Sequence, residues 1–223
     1  MNNTDNRPFD GYLLAGLATA AFTGTTLLIG ADRVVPFDDA IIRAVQGRES
    51  SGLTGLAETL SWLGSTKSVI VLVLLLASIL YVALKHRTEL ILFATAVGGA
   101  GLLNKLLKTA FQRERPTIHP LIAETGYSFP SGHTMGAVAL YGILAYLLWR
   151  HIASPTGRVM LVAVCALMYL GIVTSRIYLG VHYPSDIVGG TLASTAWLGL
   201  CIGVYERRTR KQARCAAERQ EAA

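Results

Sequence analysis

Apolar stretches separated by short polar joints run the length of the chain: Tyr12 to Gly30, Ser68 to Leu84, Leu90 to Leu107, Thr134 to Trp149, Val159 to Thr174 and Ile187 to Tyr205. A hydrocarbon core of about 30 Å takes about 20 helical residues to cross, so these six stretches predict six transmembrane helices. The segment from Asp38 to Ser65 breaks the pattern, being neither long enough nor apolar enough to cross. Within it Leu53, Leu56, Ala57, Leu60 and Leu63 recur at helical spacing, as do Ile41, Ile42 and Val45, so each half has one apolar face. Two short amphipathic helices are expected there, broken around Gly47 to Gly52 and lying in the interface with Trp62 as an anchor. They would cover the bundle or form a lateral wall for a lipid. The predicted fold is therefore all-α, a six-transmembrane-helix bundle with short amphipathic interfacial helices between spans 1 and 2. One membrane-embedded domain covers 1–205, and 206–223 form a basic tail.

Composition agrees with this reading. The chain is 52% hydrophobic and only 15% charged, which is too apolar for an ordinary soluble domain of its length. With both termini on one side, that side holds Arg7, Lys85, Arg87, Arg150, Arg158 and the tail cations Arg207, Arg208, Arg210, Lys211, Arg214 and Arg219, eleven of the twenty Lys and Arg residues. The excess of cations in short loops and tails marks the cytoplasmic face, so both termini are expected there. A cleaved signal peptide is the alternative for the first stretch. Its length, the mixture of Asp5 and Asp10 with Arg7 before it, and the lack of an A-x-A site argue for a span. Cys165 and Cys201 fall inside spans and Cys215 in the tail, so no disulfide framework is implied. The net charge of +6 reflects the basic tail and suits topology or anionic lipid rather than nucleic acid. Gly98, Gly99 and Gly101, and the pair Gly199 and Gly203, read as close helix contacts.

Three polar islands carry the candidate chemistry, and the predicted topology brings all three to the non-cytoplasmic face. In the first, Lys108 and Arg115 stand seven residues apart, about 10 Å along a helix. Pro116 pushes Arg115 out of the helical region, so the helix should end before it and let Arg115 curl back toward Lys108. Taken alone, both could be cations snorkelling at a span end. The second island, Pro130-Ser131-Gly132-His133, opens the fourth span. A helix amino terminus offers free N–H groups to an anion; Ser131 can cap it or donate to a ligand, and Gly132 allows close backbone approach. The third island places Arg176, His182 and Asp186 between the fifth and sixth spans, with Pro184 suited to a first helical turn. A carboxylate four residues from a histidine can accept one ring N–H and leave the other nitrogen free to attack. A hydrogen-bonded interfacial pair is the plainer alternative. His119 reads as a solvated loop residue, and Tyr127, Phe129, Tyr178 and Tyr183 as interfacial packing.

Jointly, Lys-x6-Arg-Pro, Pro-Ser-Gly-His and Ser-Arg-x5-His-x3-Asp resemble the three-part signature of the type 2 phosphatidic acid phosphatase superfamily, which also includes vanadium haloperoxidases. The signature covers about 80 residues, and the six-span layout extends the likeness over almost the whole chain. Compact bacterial members that dephosphorylate phosphatidylglycerol phosphate, phosphatidic acid or undecaprenyl pyrophosphate look most similar. The resemblance implies a lipid phosphatase in which His182 is the nucleophile that forms a phosphohistidine and Asp186 orients it. His133 would protonate the leaving oxygen, while Lys108, Arg115, Ser131, the Gly132 N–H and Arg176 hold the phosphoryl oxygens. No metal and no cofactor are expected, since three cations and N–H donors supply the charge stabilisation such a transfer needs. The partners implied are a lipid substrate and the bilayer. Phosphotransfer to a second lipid keeps the same site, and an anion or lipid transporter would use the same cations without the nucleophile.

Overall fold

The computed structural model describes residues 10–84, 87–117 and 119–221. Asp5, Arg7 and Lys85, which enter the charge reading, and residues 222–223 of the tail lie outside them. Among the described residues eight helices follow in order: α1 (Gly11–Gly30), α2 (Val35–Gln46), α3 (Ser51–Leu63), α4 (Thr66–Leu84), α5 (Arg87–Phe111), α6 (Gly132–Trp149), α7 (Pro155–Tyr178) and α8 (Pro184–Glu221). Among the described residues, α1, α5, α6, α7 and α8 are each long and apolar enough to cross a membrane. A sixth crossing comes from α3 and α4 taken as a pair, bent by 55° at their junction. An all-α bundle of five to six crossings is thus the architecture observed, with α2, and α3 where it is not counted into the bent crossing, as the short helices that follow α1.

Local chemistry sets the boundaries. Asp10 caps α1 by accepting from the Tyr12 and Leu13 N–H groups, Ser50 caps α3, and Ser154 caps α7 just ahead of Pro155; each supplies an acceptor for otherwise unpaired first-turn donors. α5 stops at Phe111, where Gln112 takes a left-handed φ of 48° and its N–H closes back on the Lys108 carbonyl. The chain is extended by the time it reaches Arg115, as the following proline requires.

The last helix differs from the expected pattern, because it does not end near Tyr205 but runs on through Glu221. Nothing between these points is a helix breaker, and the exposed pairs Glu206–Arg210 and Arg214–Glu218 bridge successive turns, which supports an exposed helix. The basic tail is therefore a continuation of the final span.

Burial is concentrated on α5, α6 and α8, where Phe93, Ala96, Leu140, Ile143, Leu147, Leu198 and Ile202 form the main core. α1 joins this core at two places. At one end its Gly11 lies against α8 so closely that a Cβ there would stand 2.6 Å from the Gly199 carbonyl oxygen. At the other, Phe22 packs on Phe129 and Phe111 with ring centroids 5.8 and 6.0 Å apart. Gly99 is likewise a contact glycine, with the Trp197 indole where its side chain would be. Gly98 and Gly101 are not: nothing lies within 4 Å of a Cβ built on either, and both line a cavity between α4 and α5. The contact role expected for them fails because they sit on a different face of α5 from Gly99.

Candidate active site

The end of α5, the start of α6, the end of α7 and the start of α8 meet at one end of the bundle, under α2 and α3. The 112–131 connection crosses the same end. Two of its residues, Arg113 and Arg115, are separated by one residue in extended chain, where alternate side chains share a face. Both reach the α7–α8 turn, while Glu114 between them is exposed.

Arg115 closes one side of that turn. Its Nη1 donates to the Val181 carbonyl at 2.8 Å and lies 3.3 Å from His182 Nε2, and its Nε donates to the Gly126 carbonyl at 3.0 Å. The other ring nitrogen of His182, Nδ1, faces Asp186 Oδ2 at 3.3 Å. Burial pushes the His182 imidazole down to about 4, with Asp186 opposing and Arg115 and Arg176 adding to the effect. The ring is therefore neutral at physiological pH, which a nitrogen nucleophile requires.

Asp186 is fully buried and fully engaged. Beyond His182 it accepts from the Tyr183 N–H at 2.9 Å, from the Ser128 hydroxyl, and at its other oxygen from Arg113 Nη1 at 2.7 Å. Arg113 Nη2 also binds Asp38 of α2 at 3.1 Å, and its guanidinium stacks 4.2 Å from the Tyr183 ring centre. Asp38 in turn accepts from the Ser185 N–H at 2.7 Å and the Ser185 hydroxyl at 2.6 Å, so a carboxylate from α2 caps α8.

A cavity of about 600 Å³ opens beside this cluster. Lys108, Arg115, Gly132, His133 and His182 line its polar end. Lys108 is held by a 2.7 Å hydrogen bond to the Tyr127 carbonyl. Gly132 starts α6 against Asn104, whose amide donates to the Pro130 carbonyl and whose oxygen would stand 3.0 Å from a Cβ on Gly132. Toward the membrane the same cavity is walled by Val69, Ile70, Val73 and Leu74 of α4 and by Ala94, Val97, Gly98 and Gly101 of α5. Ile70 and Leu74 are exposed at its rim.

Besides Asp186, two of the predicted residues stand back from this cavity wall. The Ser131 hydroxyl is turned inward to cap α6, accepting from the Thr134 N–H. Arg176 is 1% exposed and donates to the Ser61 hydroxyl and to Glu124 Oε1, its Nε finding no partner among the described residues. Glu124 Oε2 lies 3.5 Å from Arg115, so this one carboxylate bridges two of the three predicted phosphoryl-holding cations. Burial works to raise the Glu124 carboxyl, but Arg176, with Arg115 and His133 adding to it, holds the group below the usual carboxylate range. His119 pairs with Glu49 at 2.9 Å on the surface. Phe129 and Tyr178 pack as expected, Tyr178 also bonding Ser50 and Thr54. Arg113, Asp38, Ser128 and Glu124 carry no sequence motif. The one available signal was the extended chain before Pro116, which puts Arg113 and Arg115 on one side.

A cavity with cations at its polar end and aliphatic walls in its depth suits the head and chain of one amphiphile, as a membrane-embedded lipid phosphatase needs. Sequence comparison supplies the family: the PAP2 superfamily matches residues 89–210, and the chain belongs to it. It is similar to phosphatidylglycerophosphatase B of Bacillus subtilis (strain 168), 32% identical over 156 residues that cover 69% of this chain and 75% of that protein. The enzyme of the same name from Escherichia coli (strain K12) is 37% identical over 84 residues, 38% of this chain and about a third, 31%, of that one. The crystal structure of the first transmembrane PAP2 type phosphatidylglycerolphosphate phosphatase from Bacillus subtilis matches with a TM-score of 0.80 at 27% identity, covering 87% of this chain and 96% of that chain.

Proposed function

We propose that the protein hydrolyses a phosphomonoester or diphosphate of a membrane lipid at the non-cytoplasmic face, through a phosphohistidine at His182. Phosphatidylglycerol phosphate, named for the relatives, is the first candidate, with phosphatidic acid and undecaprenyl pyrophosphate beside it. The observation that carries the reading is the line Asp186, His182, Arg115 at the polar end of a cavity whose remaining wall is aliphatic. Asp186 fixes the proton on Nδ1, which leaves the Nε2 lone pair directed at the cation-lined space.

In the first step Nε2 forms a bond to phosphorus while the bond from phosphorus to the lipid oxygen breaks, and that oxygen takes a proton from His133. The ring keeps its Nδ1 proton and becomes cationic. In the second step water gives a proton back to His133 and its oxygen forms the new bond to phosphorus, returning the N–P electron pair to the ring. Lys108, Arg115, Arg176 and the N–H groups at the start of α6 balance the charge of the equatorial oxygens. With Arg176 now bound to Glu124, the incoming phosphoryl group must displace that carboxylate. The excess of Lys and Arg at the opposite end of the bundle supports a cytoplasmic position for both termini.

The experiment is phosphate release from a panel of purified lipid phosphates and diphosphates by detergent-solubilised protein, together with acid-labile trapping of labelled phosphoryl on His182. Release that persists in His182→Ala, or no trappable adduct in a single turnover by active enzyme, overturns the mechanism.

A further inference from the structure

The groups behind His182 form a chain of alternating charge that crosses three structural elements: buried Asp38 on α2, half-buried Arg113 on the 112–131 connection and buried Asp186 on α8. Asp38 and Asp186 are 2% and 0% exposed. With a neutral His182 the set carries one net negative charge, since two carboxylates share one guanidinium. Buried charge of that kind is costly unless something balances it. The ring supplies the balance when it becomes cationic, as it does on forming a bond through Nε2 while retaining its Nδ1 proton.

We infer that Arg113 and Asp38 are positioning residues for the reaction at His182: Arg113 holds Asp186 to the ring, and Asp38 supplies the second negative charge that favours the cationic ring of the intermediate. The inference rests on His182 being the nucleophile. It also gives α2 a function beyond covering the bundle, because Asp38 ties that interfacial helix to the catalytic turn both through Arg113 and by capping α8 at Ser185.

The opposite charges of the two residues make opposite predictions. The groups facing the ring are Asp186 from α8, Arg115 from the connection, Arg176 from α7 and His133 from α6, and none of these is altered by the test. Replacing Arg113 by Gln removes a cation and should move the acid limb of kcat/KM to higher pH. Replacing Asp38 by Asn removes an anion and should move it to lower pH. Each shift should be on the order of one pH unit for a unit charge at this range in a partly screened interior. Ionisation of the substrate is common to all variants, so differences from the unsubstituted protein isolate the enzyme. Arg113→Lys, which keeps the charge, should restore the limb, and Asp39→Asn, an exposed neighbour, should leave it in place.

Vanadate affinity should stay within about twofold in each variant, which shows a folded phosphoryl site, while kcat falls on the order of tenfold or more. Either substitution alone reads the sign, so one that fails to fold does not end the test. Limbs that stay fixed, or move in the same direction, with His182→Ala inactive overturn the inference and leave the nucleophile assignment standing. Turnover in His182→Ala removes both.

Discussion

Glu124 holds the guanidinium groups that a phosphoryl group would use. It bridges Arg176 and Arg115, so substrate and product anions compete with an internal carboxylate. Glu124→Gln should therefore tighten orthophosphate and vanadate inhibition several-fold, each lost charge–charge contact being worth roughly 1 kcal/mol at such partly exposed positions; unchanged or weaker inhibition would show that Glu124 does not compete there. For the acid, His133→Ala should lower kcat by about 10² to 10⁴ with little change in KM, read from initial rates at saturating and limiting substrate. His182 has to be neutral in order to attack. Its imidazole is pushed down to about 4, so the neutral form needed for attack is present above that pH and is lost as pH falls through it. The His182 limb of the kcat/KM profile should thus lie near 4 rather than near the ordinary 6.5 of a solvated imidazole. The meeting of the three islands was legible because the predicted spans bring the end of α5, the start of α6 and the α7–α8 turn to one end of the bundle. Asp38 was not, since it is 147 residues from the Ser185 it caps and only the folded chain brings them together.

The helices were legible for a different reason. A run of apolar residues of bilayer length has one stable backbone solution, because unpaired N–H and C=O groups are not tolerated in hydrocarbon. Their ends follow capping residues and Pro116, which sequence also displays. What pattern could not supply was which face of a helix meets which neighbour, and Gly98, Gly99 and Gly101 show this: one touches Trp197 and two line the cavity. The difference can be measured. Gly99→Leu forces a side chain into the indole and should cost about 1–3 kcal/mol in stability as overpacking does, read as a lowered Tm in detergent. A Cβ on Gly101 meets nothing within 4 Å, so Gly101→Leu should instead leave Tm near its original value while raising KM for long-chain substrates. A similar loss of Tm in both would mean that the cavity is closed.

The assembled bundle divides its labour by height. Core packing among α5, α6 and α8 fixes the polar end from below, while α2 and α3 fix it from above through Asp38 and through Ser61, which binds Arg176. On the proposed function, Lys108, Arg115 and Arg176 would supply the positive charge that a divalent ion would bring to a phosphoryl transfer, and the Asp186 carboxylate is committed to protein partners. Phosphate release should consequently persist after exhaustive chelation, and activity that disappears in EDTA and returns with magnesium would contradict this division of roles.

Ile70 and Leu74 of the membrane-spanning α4 line the cavity and remain exposed on the outside of the bundle. An amphiphile entering past them never leaves the plane of the membrane, so its encounter with His182 is a search in two dimensions. The concentration that governs turnover is then a mole fraction among lipids rather than a molarity in water. Diluting the substrate with inert detergent at constant bulk amount should slow the reaction, and adding more of the same mixed micelles at constant composition should not. On the proposed function, the composition of the surrounding leaflet is itself a kinetic variable.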